Sequence, residues 1–187
     1  MIFAIHGFKQ SGKDTLADFM VGEFGFRKLA FADKLKETLH ALFNVPREKL
    51  WGSEADKQSL TSVRWEHLQD LPPREHQHET FLTIRELLQI FATEVCRQKI
   101  PGIWYQYLDL PMRQRLVISD LRFANEAEFL RQRGAHVIEV RRPGVLGGAH
   151  ASEAGLPADL VDHVLVNDGT LADLHDKARV LLASLKV

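Results

Sequence analysis

The apolar run Met1-Ile2-Phe3-Ala4-Ile5 feeds into a loop bounded by Gly7 and Gly12, and apolar residues at helical spacing follow from Thr15 to Val21. A buried parallel strand, a tight glycine-bounded turn and an amphipathic helix, in that order, point to an α/β fold. The loop reads Gly7-Phe8-Lys9-Gln10-Ser11-Gly12-Lys13-Asp14-Thr15. Its two glycines let the backbone wrap closely around anionic oxygens, and the first amides of the following helix are unpaired and aim at them. Lys13 adds a mobile cation for the β- and γ-phosphates of a nucleoside triphosphate. A plain strand-to-helix turn, with Gly and Ser only capping the helix, does not explain Lys13. A positive charge at the positive end of a helix dipole is unfavourable without an anion beside it.

The residue after the lysine departs from the usual Ser or Thr. Asp14 stands there, and the hydroxyl comes one place later at Thr15. A carboxylate is a hard oxygen ligand suited to Mg²⁺, directly or through water, but it repels phosphates unless a cation intervenes. Asp14 therefore reads either as a metal-orienting group in a site rich in cations or as a first-turn carboxylate stabilised by the helix dipole.

The chain has 187 residues, enough for a single α/β domain with a substantial core, and a net charge of −1. That balance creates no global field for nucleic acid or acidic membranes. The lone Cys96 excludes an internal disulfide or a thiolate zinc cluster and reads as a packed helix residue. The first residues lack the basic region and long apolar stretch of a secretory signal, and no apolar run approaches the roughly 20 residues of a membrane span. The expectation is a soluble cytoplasmic enzyme.

Beyond the loop, strand and helix patterns alternate. Phe26–Phe31 reads as a strand and Asp33–Phe43 as a helix with Leu35, Leu39 and Leu42 on one stripe. Ile84–Arg97 reads as a helix with Leu87, Leu88, Phe91 and Val95 inward. Leu116–Ser119 is a strand ending in Asp120, Asn125–Gln132 a helix, His136–Val140 and His163–Val166 strands, and Leu171–Leu185 a closing helix. The alternation predicts a doubly wound parallel sheet of about five strands flanked by helices, organised as one domain over residues 1–187. Ligands in such sheets bind beyond the carboxyl ends of strands, where Gly7, Asp120 and Arg141 all fall. Two long irregular stretches, about 44–80 and 142–155, read as an acceptor-covering insertion and a lid. Disorder is the other reading of the first.

Asp120 ends an apolar strand, where a second magnesium-orienting carboxylate belongs in triphosphate enzymes. Arg122 follows two residues later and either binds phosphate or pairs with Asp120. Arg141 and Arg142 end the next strand and suit charge spreading over a transferring group; the bland reading is a solvated basic edge. His150-Ala151-Ser152-Glu153 reads as part of the lid or as a helix-starting cap. Arg85 and Arg97, twelve residues apart on one helix, share a side but lie about 18 Å apart along its axis, with Glu94 between them. Trp104, Tyr105 and Tyr107 offer a stacking face for a base or core aromatics. His76 and His78 alternate, yet no further ligand pattern supports a metal there.

Taken in order, these pieces resemble the phage-type deoxynucleoside monophosphate kinases, a branch of the P-loop kinases. The resemblance rests on Ser11-Gly12-Lys13-Asp14-Thr15, Phe31-Ala32-Asp33-Lys34-Leu35-Lys36, Arg85-Glu86-Leu87-Leu88-Gln89 through Thr93-Glu94 to Arg97 and Trp104, and Ile118-Ser119-Asp120-Leu121-Arg122-Phe123 with Asn125-Glu126. Val140-Arg141-Arg142-Pro143, His150 with Ser152-Glu153, and Val166-Asn167-Asp168-Gly169-Thr170-Leu171 complete it. It implies Mg²⁺-dependent transfer of the γ-phosphoryl of ATP to a (deoxy)nucleoside monophosphate, with catalysis by Lys13, Asp14, Asp120, Arg122, Arg141 and Arg142. By the same resemblance Gly7, Lys9, Gln10, Ser11, Gly12, Thr15, Asn167, Gly169 and Thr170 join Lys13 and Asp14 on ATP. Asp33, Lys34, Arg85, Glu94, Arg97, Trp104, Arg122, Asn125, Ser152 and Glu153 serve the acceptor, Asp14 and Asp120 the metal, and the resemblance makes a homodimer plausible. The chain departs from the family at Phe91-Ala92-Thr93, where Gly usually precedes the Thr, and residues 50–80 match little.

Two other readings stay open on sequence. The Ser-Gly-Lys-Asp loop and the Ser-Asp followed by Arg are also similar to animal-type phosphomevalonate kinases. A non-catalytic nucleotide-binding module accounts for the loop, but has no need of arginines at 122, 141 and 142.

Overall fold

The computed structural model describes residues 1–68, 80–111, 113–146 and 155–187. They pack as two compact units, Met1–Phe31 with Leu108–Val187, and Ala32–Tyr107.

The first unit is built on a parallel sheet. Its strands are β1 (Ile2–His6), β2 (Arg27–Leu29), β5 (Leu116–Leu121), β6 (Ala135–Arg141) and β7 (His163–Val166), in the order β2-β5-β1-β6-β7. All neighbouring pairs are parallel. Strands this apolar are stable only when covered on both faces. On one face Phe3, Ile5, Val117, Ile138, Val140 and Leu165 pack under α1 (Lys13–Phe24) and α8 (Leu171–Ser184), through Leu16, Ala17, Met20, Leu174, Ala178 and Leu182. Alternation sends Ala4 and His6 to the opposite face. There α7 (Ala124–Arg131) packs against β1 and β6 and buries Ala127 and Leu130.

One irregularity bears on the site. From Ala4 to His6, β1 advances two residues while β5 advances three, from Ile118 to Leu121. The extra β5 residue falls at Ser119-Asp120, and such bulges re-aim side chains beside active sites.

The second strand is shorter than Phe26–Phe31, because Phe31 already opens a helix, α2 (Phe31–Phe43). Leu35 and Leu39 are buried on it, but Leu42, in its last turn, is exposed.

In the second unit, most of the stretch expected to be irregular has local structure. It holds α3 (Arg47–Leu50), α4 (Glu54–Lys57), β3 (Leu60–Arg64) and a short 3₁₀ turn at Trp65–His67, with β3 antiparallel to β4 (Phe81–Thr83). Residues 69–79, including His76 and His78, lie outside the described residues. The helix expected over Ile84–Arg97 changes its winding. An α-helical α5 (Ile84–Ile90), started by a Thr83–Glu86 capping box, passes into a π-helical segment, Phe91–Arg97. The wider turn, seen in Gln98 N–H donating to the Thr93 carbonyl, rotates Val95 out to solvent. A short α6 (Ile103–Gln106) follows.

Candidate active site

The loop between β1 and α1 leaves the start of the helix without a side-chain cap. Phe8 to Ser11 form a turn closed by Ser11 N–H donating to the Phe8 carbonyl at 3.1 Å. Gln10 sits in the left-handed region at φ 66, a conformation usually reserved for glycine and tolerated mainly where function needs it. Gly12 is left-handed as well, φ 101, and precedes α1 without a side-chain cap. The opening amides of α1 therefore have no side-chain acceptor at the N-cap, and the helix dipole adds to their positive potential. Ser11 is buried and its hydroxyl has no hydrogen-bond partner among the described residues. A Cβ on Gly7 would strike that hydroxyl at 2.5 Å, so the loop fits only with glycine at this place.

Lys13 is largely covered, and its Nζ lies 3.5 Å from Asp14. The other Asp14 oxygen lies 3.8 Å from Lys28 of β2, which also donates to Asp18 at 2.8 Å. The cations beside Asp14 are thus two lysines, Lys13 and Lys28, where the sequence reading expects a metal or an arginine. Lys28 escapes sequence reasoning, although Asp14 and Asp18, one helical turn apart on the same face, signal the need for such a partner. Thr15 is half-buried in the same first turn, and Lys9 is exposed on the loop.

Asp120 does more than face the site. Its Oδ1 accepts the Phe31 N–H at 2.8 Å, supplying the first amide of α2 with a charged acceptor. Next to it, Glu126 is fully buried and accepts the N–H groups of Arg122 and Phe123, both at 3.1 Å. Glu126 thereby fixes the backbone that carries Arg122, and Asn125 lies half-buried beside it at the start of α7.

His6, the last residue of β1, is buried and its Nδ1 bonds the Leu121 carbonyl at 3.0 Å, across the bulge. Leu121 accepts, so Nδ1 carries the proton. Burial chiefly, helped by Arg122 and Lys13, lowers the imidazole pKa below its ordinary value, against the Leu121 bond and Glu139. Arg141 ends β6 and donates to Glu139 at 2.7 Å; both it and Arg142 are exposed.

The Asn167–Thr170 stretch is engaged by its own surroundings. Asn167 Nδ2 donates to the Ser11 carbonyl at 2.9 Å, Asp168 pairs with Lys177 at 2.5 Å, and Thr170 forms a capping box with Asp173 at the start of α8. A Cβ on Gly169 would meet Asp173 at 2.5 Å. These contacts tie the end of β7 to the β1–α1 loop and to the start of α8.

Within the Ala32–Tyr107 unit, Asp33 accepts the Trp51 indole N–H at 3.1 Å, and Lys34 is exposed on α2. Arg85 Nη2 donates to both Glu54 oxygens at 2.6 Å. Glu94 and Arg97 are half-buried on the π-helical segment. Trp104 is buried and donates to the Ala92 carbonyl at 3.1 Å, so its ring is core rather than an exposed stacking face, while Tyr107 is exposed. The lid residues His150, Ser152 and Glu153 lie outside the described residues. Among the described residues no group of three or more His, Cys, Asp or Glu gathers as a metal cluster, and no helix is long and apolar enough to cross a membrane.

A parallel sheet whose first strand ends in a glycine-bounded, lysine-bearing anion loop, with an aspartate at the neighbouring strand end, defines a P-loop kinase. The chain belongs to the deoxynucleotide monophosphate kinase family: the family model matches residues 1–77 and 51–178. A protein of Acanthamoeba polyphaga mimivirus assigned as a deoxynucleotide monophosphate kinase is 30% identical over 197 residues, spanning 95% of this chain and 93% of that protein. The deoxynucleotide monophosphate kinase of Enterobacteria phage T4 is 24% identical, covering 97% of this chain and 98% of its own length. The deoxynucleoside-5'-monophosphate kinase of Escherichia phage T5 is 25% identical over 89% of both chains. As a member of this family the protein is a nucleotide kinase, a phosphotransferase.

Two predictions follow from the strand ends. In Asp120→Asn the amide oxygen still accepts the Phe31 N–H, so the melting temperature stays near that of the parent while turnover falls about 100-fold; Asp120→Ala also loses the cap, about 1 kcal/mol. Parent-like turnover in the Asn variant would show that the charge is not needed. For His6, the unfolded chain takes up a proton near the ordinary 6.5 and the folded chain only at lower pH. Stability is therefore level above that value and falls as pH drops through it. His6→Asn keeps a donor for Leu121 without titrating, so its melting temperature should lose less between neutral and mildly acidic pH.

Proposed function

We propose that this protein transfers the γ-phosphoryl group of ATP to a deoxynucleoside monophosphate, giving ADP and the deoxynucleoside diphosphate. The observation that carries the reading is the Gly7–Thr15 loop, with its uncapped helix start, its buried unpartnered Ser11 hydroxyl and the covered Lys13. The acceptor is recognised by residues of the Ala32–Tyr107 unit, with Asp33, Lys34, Arg85, Glu94 and Arg97 as its polar contacts. The names of the relatives support a deoxynucleotide as that acceptor.

The chemistry calls for positioning and cations more than for a strong base, because charge in the transition state spreads over the equatorial oxygens. Gly12 and the first α1 amides cradle the β- and γ-phosphates, and Lys13 neutralises them. Arg122, Arg141 and Arg142 take up charge on the group in transit; for Arg141 this means exchanging Glu139 for phosphate. Asp14 and Asp120 are hard oxygen donors that fit Mg²⁺, which keeps several waters and needs only one or two protein carboxylates beside the phosphates. Bound there, magnesium would supply charge neutralisation. The protein acts in the cytoplasm, on small-molecule nucleotides rather than nucleic acid or membrane, and as a homodimer.

The test is a coupled assay of ADP production against the four common deoxynucleoside monophosphates and their ribose counterparts, with phosphomevalonate as a control acceptor. ATP consumption that no nucleotide stimulates would overturn the reading. Lys13→Ala should remove nearly all transfer and leave the melting temperature unchanged; near-normal turnover in the folded variant would refute its role. Glu54→Gln frees Arg85 from its carboxylate, so the acceptor KM should fall about two- to fivefold. An unchanged or higher KM would remove Arg85 from acceptor binding.

A further inference from the structure

Asn167 lies immediately after β7 and is buried. Its main-chain N–H donates to the Arg141 carbonyl at 2.7 Å, tying it to the end of β6. Its side-chain amide reaches 2.9 Å to the Ser11 carbonyl, within the phosphate loop and 156 positions away in sequence. A carbonyl oxygen only accepts, so the atom facing it is the Nδ2 donor. A Cβ on Gly12 would lie 2.5 Å from that same nitrogen. The pair is therefore packed as well as hydrogen-bonded.

The Ser11–Gly12 peptide is trans. In a trans peptide the carbonyl and the N–H point in opposite directions. Pulling the Ser11 carbonyl onto Asn167 therefore turns the Gly12 N–H the other way, and that N–H has no acceptor among the described residues. It is one of the amides the loop offers to a phosphate oxygen. Without the clasp, the peptide is free to rotate and present its carbonyl, an electronegative group, to the anion.

We propose that Asn167 is a positioning residue for the phosphate loop: it holds the Ser11–Gly12 peptide from behind so that the Gly12 N–H is aimed before ATP arrives, and it acts on the polyphosphate rather than on the base. The inference rests on the loop being the ATP site. Asn167→Asp keeps the shape of the side chain and sets a carboxylate oxygen against the Ser11 carbonyl; Asn167→Ala removes the clasp outright.

The experiment measures binding of ATP, GTP and inorganic tripolyphosphate to the full-length protein by calorimetry, with kcat and both KM values from initial rates. Tripolyphosphate has neither base nor sugar, so it isolates the phosphate contribution. Asn167→Asp should bind ATP and tripolyphosphate weaker by the same factor, about tenfold or more, with the ATP-to-GTP preference and the acceptor KM unchanged. Unchanged tripolyphosphate affinity alongside weakened ATP would put Asn167 on the base and overturn the proposal, as would parent-like binding of both. If the Asp variant does not fold, Asn167→Ala is read by the same criteria. Failure of the parent protein to bind either polyphosphate would instead overturn the assignment of the loop, and the positioning role with it.

Discussion

On the proposed reading, a polyphosphate carrying several negative charges is gripped largely by backbone N–H groups that have no formal charge. Such groups bind well only if they already face the ligand and have nothing else to bond to. An unbonded amide is costly to keep, so the loop has to be fixed from its other side. The loop from Gly7 to Lys13 is arranged on that principle. The Phe8–Ser11 turn, the left-handed Gln10 and Gly12, and the amide of Asn167 fix its backbone.

The same economy of contacts recurs at the neighbouring strand ends. Asp120 holds the first amide of α2 while presenting a carboxylate where a phosphoryl-transfer enzyme needs one. The bulge in β5 sets that carboxylate, and His6 accepts the consequence by bonding the Leu121 carbonyl that follows it. Glu126, fully buried, accepts from the backbone of Arg122 and Phe123 and so holds the strand end that carries Arg122. Asp120, His6 and the backbone of Arg122 are thus each tied to a neighbour on a strand end or a helix start, the rigid parts of the fold.

The sheet, the loop and the terminal helix were legible because their information is local. Ile2–Ile5 and Leu116–Ile118 announce burial by composition, and the glycines and lysine of the loop are contiguous. The acceptor-side residues were harder. Periodicity reports which face of an element is buried, not the other element's residue it meets, so the pairing of Arg85 with Glu54 and the indole bond of Trp104 to Ala92 left no trace in sequence. The π-helical turn at Phe91–Arg97 defeats the 3.6-residue template itself and sends Val95 outward. Asn167 stood out in the motif, but its partner is at the other end of the chain.

The position of β1 in the sheet has a consequence for how the molecule is made. Ile2 pairs with Leu116 on one side and Ala135 on the other, so β1 must wait for two neighbours that both lie far along the chain. Until then Phe3, Ala4 and Ile5, which end up wholly covered, remain sticky. Pairings within Ala32–Tyr107, such as Leu60 with Thr83, span far shorter stretches of chain. Long-range parallel pairing closes slowly and leaves intermediates open to aggregation. Folding of this kinase is therefore exposed to aggregation for as long as β1 stays unpaired.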